Sequence, residues 1–93
     1  MKDPRYTLEA RRHIAEIYAH IKLHNPLAAV GVIVRIQLAA RSLGLFPRMG
    51  RVGIAPNTHE LLVKGLPYVI VYELRQKENE IIILGVFHGA QKR

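Results

Sequence analysis

Apolar positions along the chain change their period near its middle. After Thr7, residues Ala10, Ile14, Ile17, Tyr18 and Ile21 recur at three- and four-residue spacing, with Arg11, Ala15, Ala19 and Lys22 opposite. That spacing predicts an amphipathic helix with Thr7 as its N-cap. Asn25-Pro26 then ends this helix and starts another, because proline loses nothing at a first-turn position where its missing N–H has no intrahelical role. The second helix runs from about Pro26 to Leu43, with Gly44 as the stop, and the two form a tight hairpin. Its broad apolar face carries Ala29, Val32, Ile33, Ile36, Ala40 and Leu43. Val34 and Leu38 fall outside that face, so the helix is expected to be buried on more than one side or to share a flank with something else. Pro47 and Gly50 prevent Leu45 to Arg51 from continuing the helix, and Phe46 is expected to plug the edge of the core.

The second half reads as strands. Glu60 to Lys64, Pro67 to Arg75 and Ile81 to His88 are rich in Val, Ile and Tyr and are separated by short polar or Gly-containing connections. Such connections imply an antiparallel meander. A further strand around Lys2 to Tyr6 fits the pattern, although Pro4 lies within it. In the middle strand Tyr68, Ile70, Tyr72 and Leu74 oppose Val69 and Val71; in the last, Ile81, Ile83 and Phe87 oppose Ile82, Leu84 and Val86. Both sheet faces are therefore apolar. Two helices cover one of them, and the other is expected to meet a partner. The fold class is α+β: a helical hairpin packed on a small antiparallel sheet.

Composition narrows the partners. The chain has 93 residues, 49% of them apolar, with 14 Lys+Arg against 7 Asp+Glu for a net charge of +7. This suits one folded basic domain, residues 1–93, whose partner is nucleic acid, a nucleic-acid machine or an acidic protein. Without cysteine, disulfide scaffolds and thiol nucleophiles are excluded. No signal peptide is recognisable, and the longest apolar run, Leu27 to Val34, is too short for a bilayer, so a soluble cytoplasmic protein is expected and no membrane partner.

Candidate chemistry is sparse. His13, His20 and His24 fall on one helical stripe, which reads as a boundary stripe beside the apolar face; no metal and no cofactor are expected. No Ser-His-Asp order, Gly-rich phosphate loop or carboxylate pair stands out. Arg48 and Arg51 flank a glycine in a loop, His59 and Glu60 open the first long strand, His88 closes the last, and Lys92 and Arg93 follow. If a meander brings these groups to one sheet edge, they would hold phosphates and supply an acid and a base for attack by a ribose 2′-OH. The plainer alternative is solvated charge. A small RNA-binding domain fits less well, since aromatics are only 6% of the chain and offer no stacking platform.

The order of motifs resembles a known family. Asn25-Pro26 with Ala28-Ala29, Phe46-Pro47-Arg48-Met49-Gly50-Arg51, Thr58-His59-Glu60-Leu61, Pro67-Tyr68-Val69-Ile70-Val71-Tyr72 and His88-Gly89-Ala90-Gln91 are similar to segments of the RelE/ParE toxins of type II toxin–antitoxin systems. The resemblance covers almost the whole chain and favours the ParE-like branch. It implies a cognate antitoxin whose acidic C-terminal region wraps the toxin, with Tyr68, Val69, Val71 and Tyr72 as its contacts. It also implies a target: ParE members inhibit DNA gyrase, which here would be bound through Arg48, Arg51, Lys92 and Arg93. RelE members instead cleave mRNA on the ribosome. In that alternative Arg48, Arg51 and His59 would position the mRNA backbone, while Glu60 or His88 moves protons. Two departures weaken the nuclease set: His59 stands where the family commonly has Arg, and Gly89-Ala90-Gln91 replaces a tyrosine or further basic group near the chain end.

Overall fold

A computed structural model describes residues 3–89. In chain order the elements are β1 (Arg5–Tyr6), α1 (Leu8–Lys22), α2 (Pro26–Ser42), β2 (Arg51–Val52), β3 (Thr58–Leu62), β4 (Tyr68–Arg75) and β5 (Glu80–His88). They build one five-stranded sheet in the order β1-β5-β4-β3-β2. β1 runs parallel to β5 and every other pair is antiparallel.

The helix starts are capped as their sequences require. Thr7 Oγ1 accepts from the Ala10 N–H at 3.1 Å, and Asn25 Oδ1 accepts from the Ala28 N–H at 3.1 Å, with Pro26 in the first turn. Thr7 has a second task. Its N–H donates to the Ile83 carbonyl at 3.1 Å and its hydroxyl to that of Leu84 at 3.3 Å, continuing the pairing where β1 stops. One turn into α1, His13 Nδ1 accepts the Val86 N–H at 3.2 Å, which requires a ring whose proton, if single, sits on Nε2. The free side of β5 is thus closed by the start of α1.

The core lies between the helices and one sheet face. Ala10, Ile36, Ala40 and Leu43 meet Leu61, Val63, Ile70, Tyr72, Ile81, Ile83 and Val86. Tyr72 is the largest fully buried side chain. Between Val71 and Tyr72 the register to β5 slips, because Val71 faces Gly85 while Tyr72 faces Ile83, leaving Leu84 as the extra residue of a bulge. A one-residue insertion reverses the side-chain parity beyond it. Val86 therefore turns inward and Phe87 outward, the reverse of the strict alternation read from the sequence.

Three other expectations are corrected. Tyr68 and Tyr72 belong to the helix-covered face, and the opposite face carries Val69 and Val71. Phe46 does not plug the core; it is 61% exposed, because the turns after Leu43 carry it outward. Arg51–Val52, read as loop, forms the edge strand β2.

The turn between β3 and β4 uses Gly65 at φ +78, where a side chain would be strained and would also meet the Arg35 guanidinium of α2. That guanidinium donates to the Lys64 carbonyl, tying α2 to this turn.

Candidate functional site

The loop between α2 and β3 carries the motif residues, and the buried end of Tyr72 holds it. Tyr72 Oη donates to the Pro47 carbonyl at 2.8 Å and accepts from the Gly50 N–H at 3.0 Å. A β-carbon on Gly50 would come within 2.7 Å of that hydroxyl and 2.8 Å of the Glu60 carbonyl, so the close approach requires glycine. One sheet tyrosine therefore clips both sides of Arg48 and Met49. The clip fixes a loop whose apolar side chains point outward: Leu45, Phe46, Met49, Val52 and Ile54 are all exposed, with Arg48 and Arg51 among them.

Burial raises the Tyr72 pKa above the usual phenol value, and the Gly50 N–H opposes this in part. A folded-state pKa above the unfolded one gives a contribution fully present below about pH 10 and lost as pH rises through the folded value. Tyr72→Phe should cost about 1–3 kcal/mol at pH 8, since two partly buried backbone groups lose their partner. The gap from wild type should narrow above pH 10 in denaturant unfolding; a gap independent of pH would contradict the clip.

Arg48 and Arg51 serve different faces. Arg51 lies opposite Glu60 in the β2–β3 pairing and bonds its carboxylate at 3.2 Å. Glu60 is only 6% exposed, whereas Arg51 reaches into solvent. Together with Thr58 and Val71, Glu60 lines a shallow depression of about 240 Å³ on the outer sheet face, rimmed by Leu84 and Phe87. Arg48 instead borders a depression of about 640 Å³ with His59, Glu73, Arg75 and Lys77. His59 stacks on Tyr72 with centroids 5.4 Å apart and 25° between planes. Its Nδ1 is buried without a hydrogen-bond partner among the described residues. Arg75 is held charged by its bond to Glu73 at 2.5 Å.

The proposed cluster does not assemble as expected. His59 and Glu60 are neighbours on one strand and point to opposite faces. His88 pairs with Tyr68, four β4 positions from the Tyr72 that pairs with His59, so roughly 13 Å of strand separates the two histidines along the sheet. The reason is direction: alternate strands of a meander run parallel, so the start of β3 lies level with the start of β5, not its end. His88 sits with His13, Glu16, His20 and Tyr68 around another depression of about 710 Å³. Among the described residues no three His, Asp or Glu side chains gather as metal ligands. No described helix is long and apolar enough to cross a membrane. Lys92 and Arg93 lie outside the described residues.

The residues expected to meet an antitoxin are mostly covered. Tyr72 is fully buried, Val69 nearly so, and Tyr68 and Val71 are half-buried. The larger uncovered apolar surfaces are the clipped loop and the outer side of α2, which the irregular positions of Val34 and Leu38 had signalled.

Comparison with known proteins gives three concordant matches. A structure titled "Chromosomal ParDE TA system from P. aeruginosa" superposes with a TM-score of 0.83, covering 95% of this chain and 96% of that one at 21% identity, which bears on the fold. The protein named "Putative toxin Y4kP" from Sinorhizobium fredii is 38% identical over 91 residues, covering 98% of this chain and 92% of that protein. The family model described as the ParE toxin of the type II toxin–antitoxin system parDE matches residues 5–93. With a fold, a relative and a family model in agreement over nearly its whole length, the chain belongs to the ParE toxins of type II toxin–antitoxin systems.

Proposed function

We propose that this toxin arrests growth by binding DNA gyrase and is neutralised by a cognate antitoxin. The observation that carries binding over cleavage is the scattering of the candidate acid–base groups: Glu60 faces the outer side of the sheet, His59 the helix side, and His88 the far end of β4. General acid–base work needs its groups within reach of one substrate atom, about 3 Å from each. By contrast, Arg48 and Arg51 stand on a preorganised loop among exposed apolar side chains, which suits a protein surface offering acidic and apolar groups together.

Purified toxin should inhibit supercoiling in a reconstituted gyrase assay. The double variant Arg48→Ala/Arg51→Ala should need at least about tenfold more protein for the same inhibition. No inhibition by excess wild type would remove gyrase as the target. Cleaved mRNA in a translating extract, detected by primer extension, would instead establish the ribosomal alternative.

A further inference from the structure

His13 stands where a histidine can read acidity. Its Nδ1 accepts the Val86 N–H at 3.2 Å, and that N–H lies on the margin of β5 that β1 leaves unpaired beyond Ile83. The half-buried ring is held in place there. Phe87 lies against it, with ring centroids 4.8 Å apart and 54° between planes. A β-carbon on Gly85 would come within 3.0 Å of His13 Nδ1 and 2.7 Å of the Phe87 ring, so the absent side chain leaves the space that both rings use.

Protonation decides whether the bond exists. An imidazole accepts only at a nitrogen that carries no proton, and an imidazolium donates at both. The contact with Val86 therefore belongs to the neutral ring and is lost with the charged one. The groups that face His13 are Glu16 and His20 on α1, His88 on β5 and Tyr68 on β4, all around the depression of about 710 Å³. Glu9, one turn earlier on α1, is bonded to Arg12 at 3.0 Å. Among the described lining residues one carboxylate, Glu16, thus faces three imidazoles, and His24 lies beside His20 with centroids 6.1 Å apart. Acid gathers like charge around this depression while it removes the bond that closes the strand margin.

We propose that His13 is an acid-sensitive latch on the free margin of β5, closed by the neutral ring and released when the ring takes a second proton. The release is local. Thr7 holds Ile83 and Leu84 through its backbone N–H and its hydroxyl, which do not titrate in this range, so the start of the margin stays guarded while Val86 is freed. The latch is independent of the gyrase reading, and it converts acidity into exposure of a strand edge.

Hydrogen exchange of the full-length toxin, followed by NMR at about pH 7.5 and about pH 5, brackets the free imidazole value of about 6.5. Protection of the Val86 N–H, corrected for the intrinsic rate at each pH, should fall at least about fivefold on acidification. Protection of the Thr7 N–H should hold. His13→Asn offers a carbonyl oxygen in place of Nδ1 and cannot titrate, so its Val86 protection should not fall with acid. Ring nitrogen shifts of the wild type at neutral pH should show the proton on Nε2, a signature that needs no variant to fold. Equal losses at Val86 in wild type and His13→Asn would overturn the latch. So would wild-type protection unchanged by acid, a parallel loss at Thr7, or a neutral ring that carries its proton on Nδ1.

Discussion

Tyr72→Ala should lower the melting temperature by at least about 12 °C, because removing a buried aromatic ring typically costs about 3–5 kcal/mol and each kcal/mol shifts a domain of this size by about 4–8 °C. Two losses combine at this residue. The ring is fully buried between α2 and the sheet, packed in the cluster with Ile36, Ile70 and Ile83, so truncation leaves a cavity in a small core. The hydroxyl is the anchor for Pro47 and Gly50, so the loop is also released. Tyr72→Phe separates the two, since it keeps the ring and loses only the anchor. Calorimetric melting of both variants checks this; an alanine variant no less stable than the phenylalanine variant would mean that ring burial contributes little.

Gly50→Ala should be strongly damaging for a single added methyl. The added carbon would meet the Glu60 carbonyl at 2.8 Å, and that oxygen is part of the β3 backbone. Strand backbone cannot yield as a flexible side-chain end can, so the loop must move away and give up the Gly50 N–H bond to Tyr72. Overpacking and a lost, partly buried hydrogen bond together amount to about 2–4 kcal/mol. The functional consequence should exceed the stability one at temperatures where the variant remains folded. Phe46, Arg48 and Met49 would then have to be ordered at the target, and growth inhibition should fall at least about tenfold. Unchanged melting and unchanged toxicity would show that the loop is not held through this contact.

Legibility in the sequence followed the strength of local chemistry. Thr7 and Asn25-Pro26 declare helix starts because a side-chain acceptor or a missing N–H acts within one turn, and both caps form as read. The three long strands were likewise legible from β-branched runs. β2 was not, since two residues between Gly50 and Gly53 have no periodicity and are defined by their partners Glu60 and His59. Facing was the harder problem. When both faces of a strand are apolar, alternation divides Tyr72 from Val71 without saying which set the helices cover. The bulge at Leu84 then reversed Val86 and Phe87, and it leaves no clear mark in an Ile-Ile-Ile-Leu run. For the candidate site, the structure sets Arg51 beside Glu60 and Arg48 around the same depression as His59. Their separation onto two faces, and the removal of His88 to the far end, depend on strand parity and direction.

The closure of β5 by Thr7 and His13 has a consequence for solubility. β5 is the longest strand of the sheet, and β1 matches only two of its positions. An unguarded strand of that length, rich in isoleucine, is a template on which other chains can stack. Here the first turns of α1 occupy its hydrogen-bonding positions at Ile83, Leu84 and Val86, so the helix that packs the core also withholds the edge from polymerisation. At the other margin the sheet ends in a strand of two residues, too short to nucleate much pairing. A protein with exposed apolar surface on a helix and on a loop thus has both margins of its sheet closed or cut short.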